Sequence, residues 1–377
     1  MKKFDSNFFY ALSVLIGAIV GVGIFALPYA VNQVGFIGGL IFFSLLVIFI
    51  VFYHLIFGEI ILRTKGEHRL LGYTKIYLNP FFKHLISFST VVSFFCILAV
   101  YLLIGGQFLQ SIFSSSSLTL DNYIIIFWIF SSILVVCGLK TFAKIELIVD
   151  IFLILIIGAL FIFTFPELKF NNISNFEPNN LFLAYGTIFF ALMGASAIPD
   201  VRSILKNKEK KTFWVIISGT IIAALIYLIF IFVITGLSGN NVEKLATENM
   251  KNIFPGQFSL WMYLLGLILV LTSYMESSHF LRESFLYDFN LNKFFGIFVI
   301  IFIPIFLILL GVNDFSKIIA LVGSIFGSID AIVLLLIYLK AKKFGNREPE
   351  YSLKISNPLI YFFILILSVG FLSSFWI

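Results

Sequence analysis

Apolar runs as long as a bilayer is thick recur along this chain, and they restrict it to a bundle of membrane-crossing helices. Hydrocarbon offers no water to the backbone, so runs of about 20 apolar residues must close their hydrogen bonds within helices. Eleven such spans are predicted, over residues 8–34, 36–62, 84–113, 121–139, 144–165, 180–205, 212–236, 257–286, 294–312, 316–340 and 356–376. The first is too long for a cleaved signal peptide and lacks a small-x-small cleavage site, although Lys2 and Lys3 precede it. A composition of 60% hydrophobic and 12% charged residues excludes an ordinary soluble domain. The 49 phenylalanines are a compositional bias, so no single one is read as an aromatic recognition box.

The basic residues orient the bundle. With the N-terminus in the cytoplasm, 21 of the 25 Lys and Arg residues fall on the inner side, and only Lys169, Lys244, Lys251 and Lys317 fall outside. This predicts a multi-pass protein of the plasma (inner) membrane with its C-terminus outside. The basic balance attracts anionic lipid. It implies no nucleic-acid partner, because no basic patch interleaved with aromatics occurs in a soluble segment. The loops are connectors: 63–83 is expected along the inner membrane surface, 114–117 as a polar turn, and 237–256 as a short surface helix over the outer mouth. Cys96 and Cys137 sit in apolar spans without a CxxC or His partner, so neither a disulfide nor a zinc site is expected.

Two spans are interrupted. Gly21-Val22-Gly23-Ile24-Phe25-Ala26-Leu27-Pro28 lies in the first, and Gly194-Ala195-Ser196-Ala197-Ile198-Pro199 lies in the sixth, with a proline five residues after Gly23 and after Gly194. Paired interruptions at matching places in two halves of a membrane protein point to a substrate site at the breaks. Glycines that only let helices pack closely are the competing explanation. A second proline at the same spacing favours the site.

These stretches, with Tyr101-Leu102-Leu103-Ile104-Gly105, Thr272-Ser273 and Gly323-Ser324-Ile325-Phe326-Gly327, are similar to the amino acid–polyamine–organocation superfamily. Within it the chain most resembles the amino acid permeases of the aromatic, hydroxy and auxin type. The resemblance implies an all-α polytopic fold like that of the leucine transporter. It has 11 transmembrane helices in a 5+5 inverted repeat, with broken helices 1 and 6 and one extra C-terminal helix. The units are then 1–165, 166–343 and 344–377.

A broken helix offers unpaired amides at the start of its second half and unpaired carbonyls at the end of its first. The amides suit a carboxylate and the carbonyls an ammonium, so two opposed breaks match a zwitterionic amino acid. This geometry is known from the leucine transporter and is carried over from it. The expected substrate-binding residues are Val20, Gly21, Val22, Gly23, Ile24, Phe25, Tyr101, Phe190, Ala191, Met193, Gly194, Ala195, Ser196, Ser273 and Ser277. Neither break holds a charged side chain, which argues for a neutral substrate. Packing with a satisfied hydroxyl is the alternative for Tyr101.

Ionisable groups in a membrane helix are functional suspects. Thr272, Ser273, Glu276, Asp150 and Asp330 are the candidate ion-coupling residues. In sodium-coupled relatives a Thr/Ser pair on helix 8 and carbonyls of helix 1 form a sodium site, and Thr272 and Ser273 sit at the matching place. Glu276 could instead carry a proton, and the proton is preferred. Asp200 is expected in the inner vestibule near Arg202, and for both Asp200 and Asp330 the alternative is a structural pair with a Lys, Arg or Ser neighbour. Glu59, Glu146, Arg282, Glu283 and Asp288 are expected as solvated charges at the inner interface, and His54 as a packed histidine. No cofactor is expected beyond a sodium ion near helices 1 and 8. The function expected is ion-coupled import of a neutral L-amino acid, aromatic or hydroxylated, by alternating access, with oligomeric state open. The alternative is an amino acid sensor on the same fold. An enzyme is not expected, since no HExxH, GxSxG or zinc-ligand cluster occurs; a channel would need a filter motif that the chain lacks.

Overall fold

A computed structural model describes residues 6–137, 142–169, 177, 180–239, 241–244 and 257–376. Among them the regular elements are helical and no strand occurs. The first span is α1 (Ser6–Ile19), a 3-10 turn (Val22–Phe25) and α2 (Leu27–Gln33). There follow α3 (Phe36–Arg63), the short α4 (Leu70–Tyr77), α5 (Pro80–Ile112), α6 (Leu120–Cys137) and α7 (Phe142–Thr164). The sixth span is α8 (Leu181–Leu192), a 3-10 turn (Ala195–Ala197) and α9 (Ile198–Ile204). It is followed by α10 (Thr212–Ser238), α11 (Gln257–Glu283) and α12 (Lys293–Leu309). The chain closes with α13 (Phe315–Leu321), α14 (Ser328–Phe344) and α15 (Asn357–Ser373).

Seven of the described helices are long and apolar enough to cross a membrane, and four shorter ones are apolar throughout. Large apolar side chains stand exposed on the perimeter, among them Phe163 and Leu309. In water such a surface would drive aggregation; against lipid it costs nothing. The protein is a multi-pass membrane protein. Its centre is packed around the broken first span: α1 lies against α7, α9 and α10, and α8 lies against α2 and α3.

The tenth span holds a feature that apolar periodicity does not reveal. Between α13 and α14 the backbone widens into a π-helical segment, Val322–Gly327. Its cause is close approach to α8: a Cβ on Gly323 would collide with the Gly186 carbonyl, and one on Gly186 would collide with that of Ala320. Such widenings re-aim side chains, and here they turn Val322, Gly323, Phe326 and Gly327 toward one cavity.

The loops expected on the inner side are more than connectors. The 63–83 segment does not simply lie on the membrane surface: in α4, Leu70, Leu71, Gly72, Tyr73 and Thr74 are buried. The Lys75 ammonium ties α4 to the Asp288 carbonyl, and the Asp288 side chain is itself buried. Glu59 is fully buried, which corrects its expected solvated state. Its carboxylate accepts from Arg63 Nε at 2.7 Å, the Leu353 amide at 2.7 Å, Ser352 Oγ at 3.1 Å and the Tyr338 hydroxyl at 3.2 Å. It thereby fastens the segment after α14 onto the C-terminal end of α3. The expected surface helix over 237–256 lies largely outside the described residues, as do Lys2, Lys3, Lys140 and Lys251.

Candidate functional site: two helix breaks around one cavity

Each break follows from its proline. Pro28 and Pro199 both stand in the first turn of the restarted helix, α2 and α9, where a missing N–H costs nothing. Continuing the preceding helix would drive each ring into the carbonyl four residues back. The chain therefore leaves the helix at Gly21 (φ −109°, ψ −151°) and at Met193-Gly194, then makes a 3-10 turn. Gly21 and Gly194 are thus the equivalent residues, each directly before its turn; Gly23 lies inside the first turn.

The breaks touch one another. A Cβ on Gly23 would lie 2.8 Å from both Cα and Cβ of Ala191, and one on Gly194 would run into Ile19. Close packing and site formation are therefore the same fact here.

Two buried polar side chains hold the broken ends. The Tyr227 hydroxyl of α10 donates to the Ile19 carbonyl, and it lies 2.9 Å from the Ala191 carbonyl. One hydrogen is shared between the last turns of both first halves. His54 of α3, fully buried, accepts from the Gly194 amide at 3.3 Å through Nε2, which fixes the proton on Nδ1, 3.0 Å from Thr220 Oγ1. His54 is packed as expected, and both of its ring nitrogens meet polar partners. Neither role was legible in sequence; the only signal was a polar group in mid-span at Tyr227 and at His54.

A cavity of about 140 Å³ opens beside the breaks. Of the expected substrate residues, Gly21, Val22, Gly23, Tyr101, Phe190, Ala191, Met193, Ala195, Ser196 and Ser277 line it. Amides at the start of each 3-10 turn have no partner within the turn and are available to an anion. Tyr101 sits where expected: a Cβ on Gly21 would lie 3.6 Å from its hydroxyl and 2.8 Å from Ser273 Oγ. Ser273 thus stands beside Gly21, although it is not part of the cavity wall.

Val20, Ile24, Phe25 and Gly194 do not line the cavity. Phe25 lies one 3-10 turn beyond Val22, and its ring packs edge-on against Phe108 (centroids 5.1 Å apart) and Phe230 (6.1 Å). Gly194 is taken up by the contact with Ile19 and the bond to His54.

Among the candidate ion-coupling residues, Glu276 and Asp330 are on the cavity wall. Glu276 Oε1 accepts from Ser196 Oγ at 3.0 Å, so this carboxyl touches the second break directly. Asp330 accepts from Ser89 Oγ at 2.7 Å. Two acidic side chains therefore border the site, although neither break contains one. Thr272 Oγ1 donates to the Leu269 carbonyl of its own helix at 3.1 Å. Asp150 lies away from the cavity in α7, buried, with both carboxyl oxygens lacking a hydrogen-bond partner. Glu146, one turn earlier, is buried against Gly17 of α1 and is not the solvated charge expected.

Below the cavity a polar pocket holds Glu67, His68, Arg202, Lys206, Glu209, His279 and Glu283. Arg69 and Asp200 also line it, whereas their neighbours Leu70 and Ser196 line the cavity. Arg69 grips Asp200 with two bonds, NH2 to Oδ1 at 2.8 Å and NH1 to Oδ2 at 3.0 Å. NH1 also donates to the Ser196 carbonyl at 3.2 Å, and the guanidinium lies 5.6 Å from the Phe280 ring centre. Asp200 does line this vestibule with Arg202, as expected, but its partner is Arg69.

Known proteins share this fold. Residues 5–374 match the Tryptophan/tyrosine permease family, and the chain belongs to that family. "Glutamine transporter 2" of Aliivibrio fischeri (strain ATCC 700601 / ES114) is 24% identical over 249 residues, a match spanning 61% of each chain. The crystal structure of MhsT in complex with L-phenylalanine superposes with a TM-score of 0.69 at 15% identity, covering 99% of this chain and 100% of that one. Family membership places the chain among permeases rather than enzymes.

Proposed function

We propose that this protein is an ion-coupled permease that carries a neutral L-amino acid, aromatic or hydroxylated, into the cytoplasm. The observation that carries the reading is the pair of helix breaks in mutual contact on one cavity, with free amides and carbonyl ends together. A zwitterion satisfies both polarities at once with backbone alone. The relatives support the substrate class, since one is named for glutamine and another was solved with phenylalanine. Resemblance to the amino acid–polyamine–organocation superfamily supports eleven spans, with five-helix halves over 1–165 and 166–343 and an added helix in 344–377. The basic-residue split supports a plasma-membrane location with the N-terminus in the cytoplasm and the C-terminus outside.

The coupling ion is assigned to the proton. Glu276 touches the break through Ser196, so its charge state is felt at the substrate site. Arg69, Asp200 and Glu146 are the charged groups around it. In the competing sodium reading, Thr272 and Ser273 with carbonyls near Gly21 would take the ion.

Uptake into proteoliposomes tests both parts. A panel of labelled amino acids is offered with pH and sodium gradients imposed separately. Accumulation of a neutral amino acid under an inward proton gradient is expected, and Glu276→Gln should remove the gradient's effect while counterflow persists. Uptake that follows sodium alone would reassign the coupling. Binding without counterflow would make the protein a sensor.

A further inference from the structure

The cavity has a second polar end that the helix breaks do not explain. Asp330, from the first turn of α14, lines the cavity together with Tyr53, Phe57, Thr90, Ser93 and Phe326. Ser89 of α5 orients the carboxyl by donating to Oδ1 at 2.7 Å. Among the described residues Asp330 forms no ion pair, and no Lys, Arg or His is part of the cavity wall. A carboxyl acceptor in a membrane interior without a basic partner is costly unless something donates to it. The protein supplies one hydrogen bond, through Ser89. As a lining residue, Asp330 borders the space that the substrate would fill.

We propose that Asp330, positioned by Ser89, is the subsite for the substrate side chain, and that it selects amino acids whose side chain ends in an N–H or O–H donor. Indole, phenol and long carboxamide side chains meet this requirement; phenyl and alkyl groups do not. The proposal rests on the reading above that a neutral amino acid sits with its zwitterionic head at the breaks. It moves Asp330 from the coupling role expected from sequence to a recognition role. The aromatic rings along the cavity, Phe94, Phe190 and Phe280, form an apolar corridor between the two polar ends. A long, flat side chain with a terminal donor fits that sequence of surfaces.

Sites built to hydrogen-bond a substrate group reject analogues without it far more strongly than apolar pockets reject a missing methylene. The test is equilibrium binding to the purified full chain in nanodiscs, with matched pairs of long side chains: tyrosine against phenylalanine, and glutamine against methionine. The donor-bearing member of each pair is expected to bind at least about tenfold tighter. In Asp330→Ala the ratio should collapse to near unity while phenylalanine affinity is kept, which also reports that the variant is folded. If Asp330→Ala binds nothing, Asp330→Leu, which fills the space without an acceptor, is read in the same way. Ser89→Ala should lower the ratio partway.

Equal binding within every pair by the unaltered protein overturns the subsite, as does an unchanged ratio in both Asp330 variants. Preference for lysine or ornithine over the neutral members overturns it too, in favour of a cationic side chain. These results leave the general reading in place. Failure of every amino acid to bind the unaltered protein overturns the permease reading itself, and the subsite with it.

Discussion

Gly23→Val should abolish amino acid binding, a fall of up to about a hundredfold or more, while the protein still inserts into the membrane. The added Cβ would lie 2.8 Å from the Cα and Cβ of Ala191, a distance at which one chain must move. The obstacle is backbone, so no rotamer change relieves it. Overpacking of one methyl costs about 1–3 kcal/mol in a well-packed interior, and valine adds two more carbons beside the cavity. Gly21→Ala is the graded control. Its Cβ meets Ser273 Oγ at 2.8 Å, a hydroxyl on a side chain that can rotate away, so a smaller loss of about tenfold is expected. Ligand binding measured beside a thermal unfolding scan in detergent separates lost affinity from lost fold. Wild-type affinity in Gly23→Val would mean that the two breaks need not touch.

Arg69→Ala should lower gradient-driven accumulation by at least about tenfold and leave exchange of amino acid across the membrane running. Arg69 is the only described residue with direct hydrogen bonds to both Ser196, in the second break, and Asp200, at the start of α9. It stands between the cavity and the polar inner pocket. Two parallel bonds to one carboxylate give geometry as well as charge, and lysine reproduces only the charge. Arg69→Lys should therefore recover part of the accumulation. The pair is partly screened, since the Asp200 side chain is 33% exposed and that of Arg69 9%. About 1–3 kcal/mol is the scale for its loss, enough to loosen a closure whose states differ by a few kcal/mol. Asp200→Asn should act in the same direction. Full accumulation in Arg69→Ala would remove the pair from the transport cycle.

The broken spans were legible in sequence because proline and glycine act locally. A proline forbids the helix through it, whatever surrounds it, and Pro28 and Pro199 did so as expected. Apolar run length likewise placed α3, α10 and α15 within a few residues of their ends. What holds the breaks was not legible. Tyr227 and His54 meet residues far away in the chain, and each alone reads as a polar group packed inside a span. Glu59 fails as a surface charge for the same reason, since Ser352 and Leu353 return from the other end of the protein to meet it. Phe25 shows the limit of motif reading. Membership in the Gly-x-Gly-Ile-Phe stretch does not put its ring in the cavity, because one 3-10 turn carries it past the wall into the aromatic packing of α5 and α10. The π segment of the tenth span had only Gly323 and Gly327 as a signal, and glycines are common in membrane helices.

The central claim is that the two breaks grip both charged groups of an amino acid, and competition binding with trimmed ligands tests it most directly. A labelled amino acid that binds the purified protein is displaced by the unlabelled compound, by its amine lacking the carboxylate, and by its acid lacking the ammonium. Each charged group held by hydrogen bonds is worth about 1.5–3 kcal/mol, so each trimmed analogue should compete about tenfold to a hundredfold less well than the parent. Equal competition by either analogue would mean that the corresponding break does not contact the ligand, and would contradict the account.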